Sequence, residues 1–352
     1  MISFMDRIRV ELLRRSLKFS ALKTLFYSRP KRILFLSMIA ILFYLPVSLY
    51  FPLWVLLIGP ILWGVPHLIS SIRYVNRENK IKSDHADLLK THFLFWILVF
   101  IYRICVDILQ IQLPLSETPL FFESLILLIA FILQILWFKR YSLKELTFFC
   151  AFCGLAILTY RAPLMTAACL LIGHNFVGLI YWYKSCRNPQ DLKVFGIFSI
   201  IFCLASFGIL TGQFDFMFKL FQAQPGIEFL NWNYSDLVAP FAGDNYDYKF
   251  WYRFVCLYAF TQALHYFIWL KAIPETNQPD QHPPSFHWTF NKLSSEFGNG
   301  SVMLLVSLIL VTTSVWLIYE FQTARLFYLC LASYHGYMEL SGLAFTESQR
   351  SK

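Results

Sequence analysis

Apolar residues run along this chain in long blocks separated by short polar connections. The blocks lie at Ile33–Tyr50, Pro52–Tyr74, His92–Leu113, Pro119–Phe138, Leu143–Tyr160, Pro163–Tyr183, Leu192–Leu210, Phe250–Leu270, Val302–Tyr319 and Ala324–Leu343. Each approaches the length of about 20 residues at which a helix crosses the hydrocarbon core of a bilayer. The pattern predicts an all-α fold, a polytopic transmembrane helix bundle of about ten spans.

Composition agrees, with 57% hydrophobic and 19% aromatic residues against 14% charged. So little polar sequence remains that no separate soluble domain of ordinary size fits. The expected layout is a basic segment 1–32, a single transmembrane domain 33–343 and a tail 344–352. In the first segment Met5, Ile8, Leu12, Phe19, Leu22 and Phe26 recur at helical spacing, which predicts an amphipathic helix lying on the membrane surface. Its charge and length do not read as a cleavable signal.

The net charge of +9 gathers at the ends of apolar blocks, so it is a topology signal and not a nucleic-acid-binding surface. Arg77, Lys80, Lys82 and Lys90, then Lys139, Arg140 and Lys144, then Lys184, Arg187 and Lys193 fall in alternate connections. The other connections are poorer in base. The positive-inside rule then puts both termini in the cytoplasm and makes this a multi-pass cell-membrane protein. Two connections are long: Gln213–Tyr248, expected as an outer cap, and the proline-rich Lys271–Gly300 on the inner face. The eight cysteines sit mostly inside apolar blocks and read as reduced thiols. Cys150 and Cys153 form a CxxC that reads as packing.

Candidate chemistry lies in four histidines within the spans: His67, His174, His265 and His335. On the ten-span count all four helices run in one direction. The histidines stand about 8, 9, 5 and 8 residues from the inner ends, or roughly 8 to 13 Å at 1.5 Å per residue. Rings at one depth can converge on one site, and ionisable groups inside a membrane are by default functional candidates. Neutral imidazole is a ligand for zinc, copper, iron and nickel. Glu339, one turn after His335, could serve as a catalytic carboxylate or orient a ligand. Gln262 and Asn175 could hydrogen-bond to neighbouring histidines.

The Pro66–His67 pair on an early span, with single histidines on later ones, resembles the bacteriorhodopsin-related-protein-like β-carotene dioxygenases. That resemblance implies iron-dependent cleavage of a carotenoid at a histidine-ligated site within the membrane. Where that family has Pro–His–Gly with a nearby Asp, this chain has Leu68 and Ser70.

The first expectation is therefore an integral membrane metalloenzyme, a non-haem iron oxygenase acting on a lipid-soluble small molecule reached from membrane lipid. Its metal ligands would be His67, His174, His265 and His335. Alternatives are a haem-binding electron carrier with the same histidines as axial ligands, and a transporter or assembly protein. His85 and His92 read as solvated or interfacial, and His282 and His287 as loop residues. Arg103 and Asp107, four apart, and Glu123 read as an ion-paired group that fixes helix packing. Tyr334 and Tyr337, flanking His335 and Gly336, read as packing or as a substrate wall.

Overall fold

The computed structural model describes residues 27–64, 66–71, 86–113, 118–138, 143–220, 248–278 and 319–350, with isolated positions between them. Its long helices, in chain order, are α1 (Arg29–Tyr50), α2 (Pro52–Gly59), α3 (Ala86–Arg103), α4 (Pro119–Phe138) and α5 (Leu143–Arg161). Then come α6 (Pro163–Ser185), α7 (Pro189–Leu210), α8 (Tyr248–Phe267) and α9 (Phe321–Arg350). Prolines set where several of them begin. Pro52, Pro119, Pro163 and Pro189 open α2, α4, α6 and α7, where a missing N–H costs nothing and a fixed φ favours the helix. At α7 the Asn188 side chain also accepts the Asp191 backbone N–H at 2.9 Å, capping an otherwise open donor.

Among the described residues, five helices are long and apolar enough to cross a membrane: Arg29–Tyr50, Thr91–Ile108, Pro119–Trp137, Pro163–Ser185 and Pro189–Leu210. Their outward faces are apolar. Ile200, Leu204 and Phe207 on α7 are 62%, 64% and 65% exposed, while Phe198, Phe202 and Ile209 on its other face are buried. A helix apolar all round is buried in protein or in lipid, and these exposed side chains place the surrounding phase as lipid. The ninth expected span, near Val302–Tyr319, lies outside the described residues up to Tyr319. So do many positions of segment 1–32, Met5, Leu22 and Phe26 of the expected amphipathic face among them.

Within the expected span Pro52–Tyr74 the helical ladder changes register. Helix α2 passes into a π-helical turn over Pro60–Gly64, and residues 66–71 are helical. Pro60 lacks the N–H that an α-helical ladder would use, which favours the wider turn. Similar turns extend α3 over Ile104–Ile108 and α8 over Ile268–Ala272. The expected outer cap contains a two-stranded antiparallel ribbon, β1 (Gly226–Ile227) against β2 (Trp232–Asn233).

The chain divides into two compact units. The first comprises Met1–Val65, Gly178–Gln224 and Ala259–Val315, and the second Pro66–Val177, Pro225–Tyr258 and Trp316–Lys352. In the first, α1 packs on α7 and on the turn that follows α8. Its aromatic core joins Tyr181 to Trp269, with ring centroids 5.1 Å apart, and Trp182 to Phe198 at 5.0 Å. Two buried arginines at the start of α1 are paired. Arg29 contacts both Asp191 oxygens at 3.1 and 3.0 Å, and Arg32 meets Glu275, which Lys271 also reaches at 2.8 Å.

In the second unit, α9 lies against α3, α4 and α5, and α4 packs on α5. Trp96, Val99, Leu127, Phe131, Phe152 and Met338 form its apolar core.

Replacing one member of a buried ion pair strands its partner, at a cost of about 3–5 kcal/mol, whereas replacing both is close to neutral. Arg29→Met is therefore expected to lower the unfolding free energy of the detergent-solubilised protein by about that amount, and Arg29→Met/Asp191→Leu to recover most of it. Chemical unfolding curves of the two variants measure this.

Candidate metal centre

The second unit gathers polar side chains from three helical segments around one ring. His335 and Glu339 are one turn apart on α9 and so share a face. His67 and Ser71 have the same spacing on the segment 66–71. His174 comes from the part of α6 that belongs to this unit.

His335 Nε2 stands 2.8 Å from His67 Nε2 and 2.9 Å from Glu339 Oε1. One donor atom from each of His67, His335 and Glu339 lies within 4.8 Å of the others. The rings of His67 and His335 meet edge-on, with centroids 4.3 Å apart and planes at 84°. His174 approaches from another side, its Nδ1 3.5 Å from Glu339 Oε2 and its ring centroid 5.5 Å from that of His335. Glu339 thus lies between two histidines. The α9 backbone also comes close at Gly336, where a methyl group would stand 3.6 Å from His174 Nδ1.

Burial sharpens the chemistry. His67, His335 and Glu339 are 4%, 1% and 0% exposed. A neutral imidazole carries one N–H and one lone pair, and an ionised carboxylate only accepts. Atoms within 3 Å that present lone pairs to one another need a proton or a cation between them. One divalent cation answers all three at once and neutralises a buried carboxylate that is otherwise costly. The donors are two imidazole nitrogens and a carboxylate oxygen, a set that suits zinc or iron. The group could therefore hold a metal ion.

His265 belongs to the first unit. It is 1% exposed, with its ring edge-on to Tyr266 and Trp269 at centroid distances of 6.3 and 6.4 Å. A methyl on Gly178 would stand 3.4 Å from its Nδ1, so the α6 backbone passes close there. Gln262 donates to Tyr266 Oη at 2.9 Å, and Asn175 donates to the Leu171 carbonyl at 3.2 Å. Each bond runs within a single helix. Ser71, which the sequence pattern did not single out, lies 3.1 Å from His335 Nδ1.

His92 is not solvated; it is 2% exposed, on α3 beside Trp96, next to the start of the apolar stretch Thr91–Ile108. His85, His282 and His287 lie outside the described residues. Cys150 and Cys153 are both free thiols.

The ion-paired group expected on α3 and α4 is present in the second unit, and it is larger than expected. Arg103 Nε lies 2.8 Å from Asp107 Oδ2 and 3.2 Å from Glu123 Oε1. Tyr337 of α9 donates to Glu123 Oε2 at 2.7 Å, so its phenol serves this network. The signal that could have found it is a buried tyrosine in an apolar helix, whose hydroxyl needs a partner.

No protein-family model matches the chain, and comparison with curated proteins and with solved structures finds no match either. The functional reading therefore stands on the chemistry of these residues.

Tyr337→Phe removes the phenol that donates to the fully buried Glu123. A hydrogen bond to a charged group contributes about 1.5–3 kcal/mol, and the unfolding free energy should fall by that amount. Chemical unfolding of the purified variant in detergent measures it.

Proposed function

We propose that the chain is a multi-pass cell-membrane metalloenzyme that holds non-haem iron and oxidises a lipid-soluble molecule drawn from the bilayer. The observation that carries this reading is the close approach of His67, His335 and Glu339 in a buried part of the second unit. His174, beside Glu339, is the next donor within the same unit. The depth argument from the sequence adds His265 as a further ligand.

Iron, when bound, would supply activation of dioxygen, and a histidine-rich set with a carboxylate leaves room for that chemistry. The protein's own part would be to hold the cation, exclude water and keep Glu339 as ligand or proton carrier. The apolar faces of the spans would give an apolar substrate direct access from lipid. The resemblance in the Pro66–His67 pattern favours a carotenoid-like substrate. Ten spans with both termini cytoplasmic complete the proposed topology.

Haem is the weaker reading, because His67 and His335 face each other Nε2 to Nε2 at 2.8 Å, a hydrogen-bond distance with no space for a macrocycle between them.

Metal analysis and an absorption spectrum of detergent-purified protein test the proposal together. Stoichiometric iron without a Soret band is the expected result. His67→Ala and His335→Ala should each lose most of the metal. Full metal occupancy in the His67→Ala/His335→Ala double variant would falsify the assignment, and a Soret band would favour haem.

A further inference from the structure

His67 and Ser71, one turn apart, meet opposite nitrogens of a single ring. His67 faces His335 Nε2 at 2.8 Å, and Ser71 Oγ faces His335 Nδ1 at 3.1 Å. The Ser71 hydroxyl also donates to the Leu68 carbonyl oxygen at 2.9 Å. A hydroxyl has one proton and two lone pairs. With its proton directed at Leu68, Ser71 turns a lone pair toward His335, and Nδ1 must carry the N–H that meets it. A neutral imidazole has one such proton, so Nε2 keeps its lone pair.

That nitrogen is the one grouped with His67 and Glu339. The opposite tautomer would place a proton on Nε2, where it would donate to His67 or Glu339 and close the group on itself by hydrogen bonds. The partner of one ring nitrogen determines what the other can bind. Ser71 is fully buried, at 0% exposure, so bulk water is not at hand to replace it.

We propose that Ser71 is a positioning residue that holds His335 in the Nδ1–H tautomer and so presents Nε2 as a ligand to a divalent transition-metal ion. This rests on the metal-binding reading above, but the tautomer can be read without metal. The role is distinct from packing, because it acts through the position of one proton.

The experiment uses the full chain in detergent, stripped of metal by chelation and labelled with ¹⁵N-histidine. His335 is identified by the signals missing in His335→Gln. The expected spectrum has His335 protonated on Nδ1 in the wild type, with that preference lost in Ser71→Ala. Titration with Co²⁺, followed by its visible absorption, should then show an affinity about 10- to 100-fold weaker in Ser71→Ala, the usual effect of removing a residue that orients a ligand.

Protonation of His335 on Nε2 in the wild type overturns the proposal, whether or not the variant folds. Equal Co²⁺ affinity in wild type and a folded Ser71→Ala also overturns it. A wild type that binds no Co²⁺ instead removes the metal reading, while the nitrogen spectrum still decides the tautomer.

Discussion

The crowding of lone pairs around His335 Nε2 is the constraint on which the second unit turns. Two imidazole nitrogens and a carboxylate oxygen are held at hydrogen-bond distances, in a chain whose outer surface is built for lipid. Water cannot dilute that arrangement, because the three side chains are buried. A proton or a cation must lie between them. Polar groups in hydrocarbon are costly when unsatisfied, so a helical unit that keeps this group has a use for it or a cation to fill it.

Helix α9 is where this constraint meets the packing. His335 and Glu339 line one face, while Tyr337, two residues from each and so about 200° away around the helix at 3.6 residues per turn, reaches Glu123 on α4. Cys330, further up the same helix, approaches Asp107 at 3.9 Å. One helix therefore carries two polar groups on two faces, with the apolar cluster around Met338 packed against α3, α4 and α5. Fixing Tyr337 against the Arg103 network limits rotation of α9 about its axis. The same restraint holds His335 and Glu339 in register with His67 and Ser71.

Much of this was legible in the sequence, for identifiable reasons. Apolar block length and prolines located α1, α4, α5, α6 and α7 to within a few residues, because both act locally. The pairing of Arg103 with Asp107 followed from a four-residue spacing, as did that of His335 with Glu339. The histidines stood out because ionisable rings are rare in apolar blocks. The π-helical turn over Pro60–Gly64 was hidden, since hydropathy carries no record of backbone hydrogen bonding. Ser71 was hidden for the opposite reason: a serine in a membrane helix commonly bonds its own backbone, and its contact with His335 spans 264 positions of sequence. Tyr337 and Glu123, 214 positions apart, were seen singly but not as a pair.

The place of Glu339 bears on which chemistry the group can perform. A hydrolytic zinc centre uses histidine or carboxylate ligands together with a separate base that takes a proton from bound water. Glu339 is already engaged, with one oxygen at His335 Nε2 and the other facing His174. A carboxylate held between two imidazoles is placed to bind a cation or fix the rings, and not to swing as a free base. In that arrangement the chain's own contribution is a set of buried ligand atoms that could hold a metal ion and a dry enclosure around them.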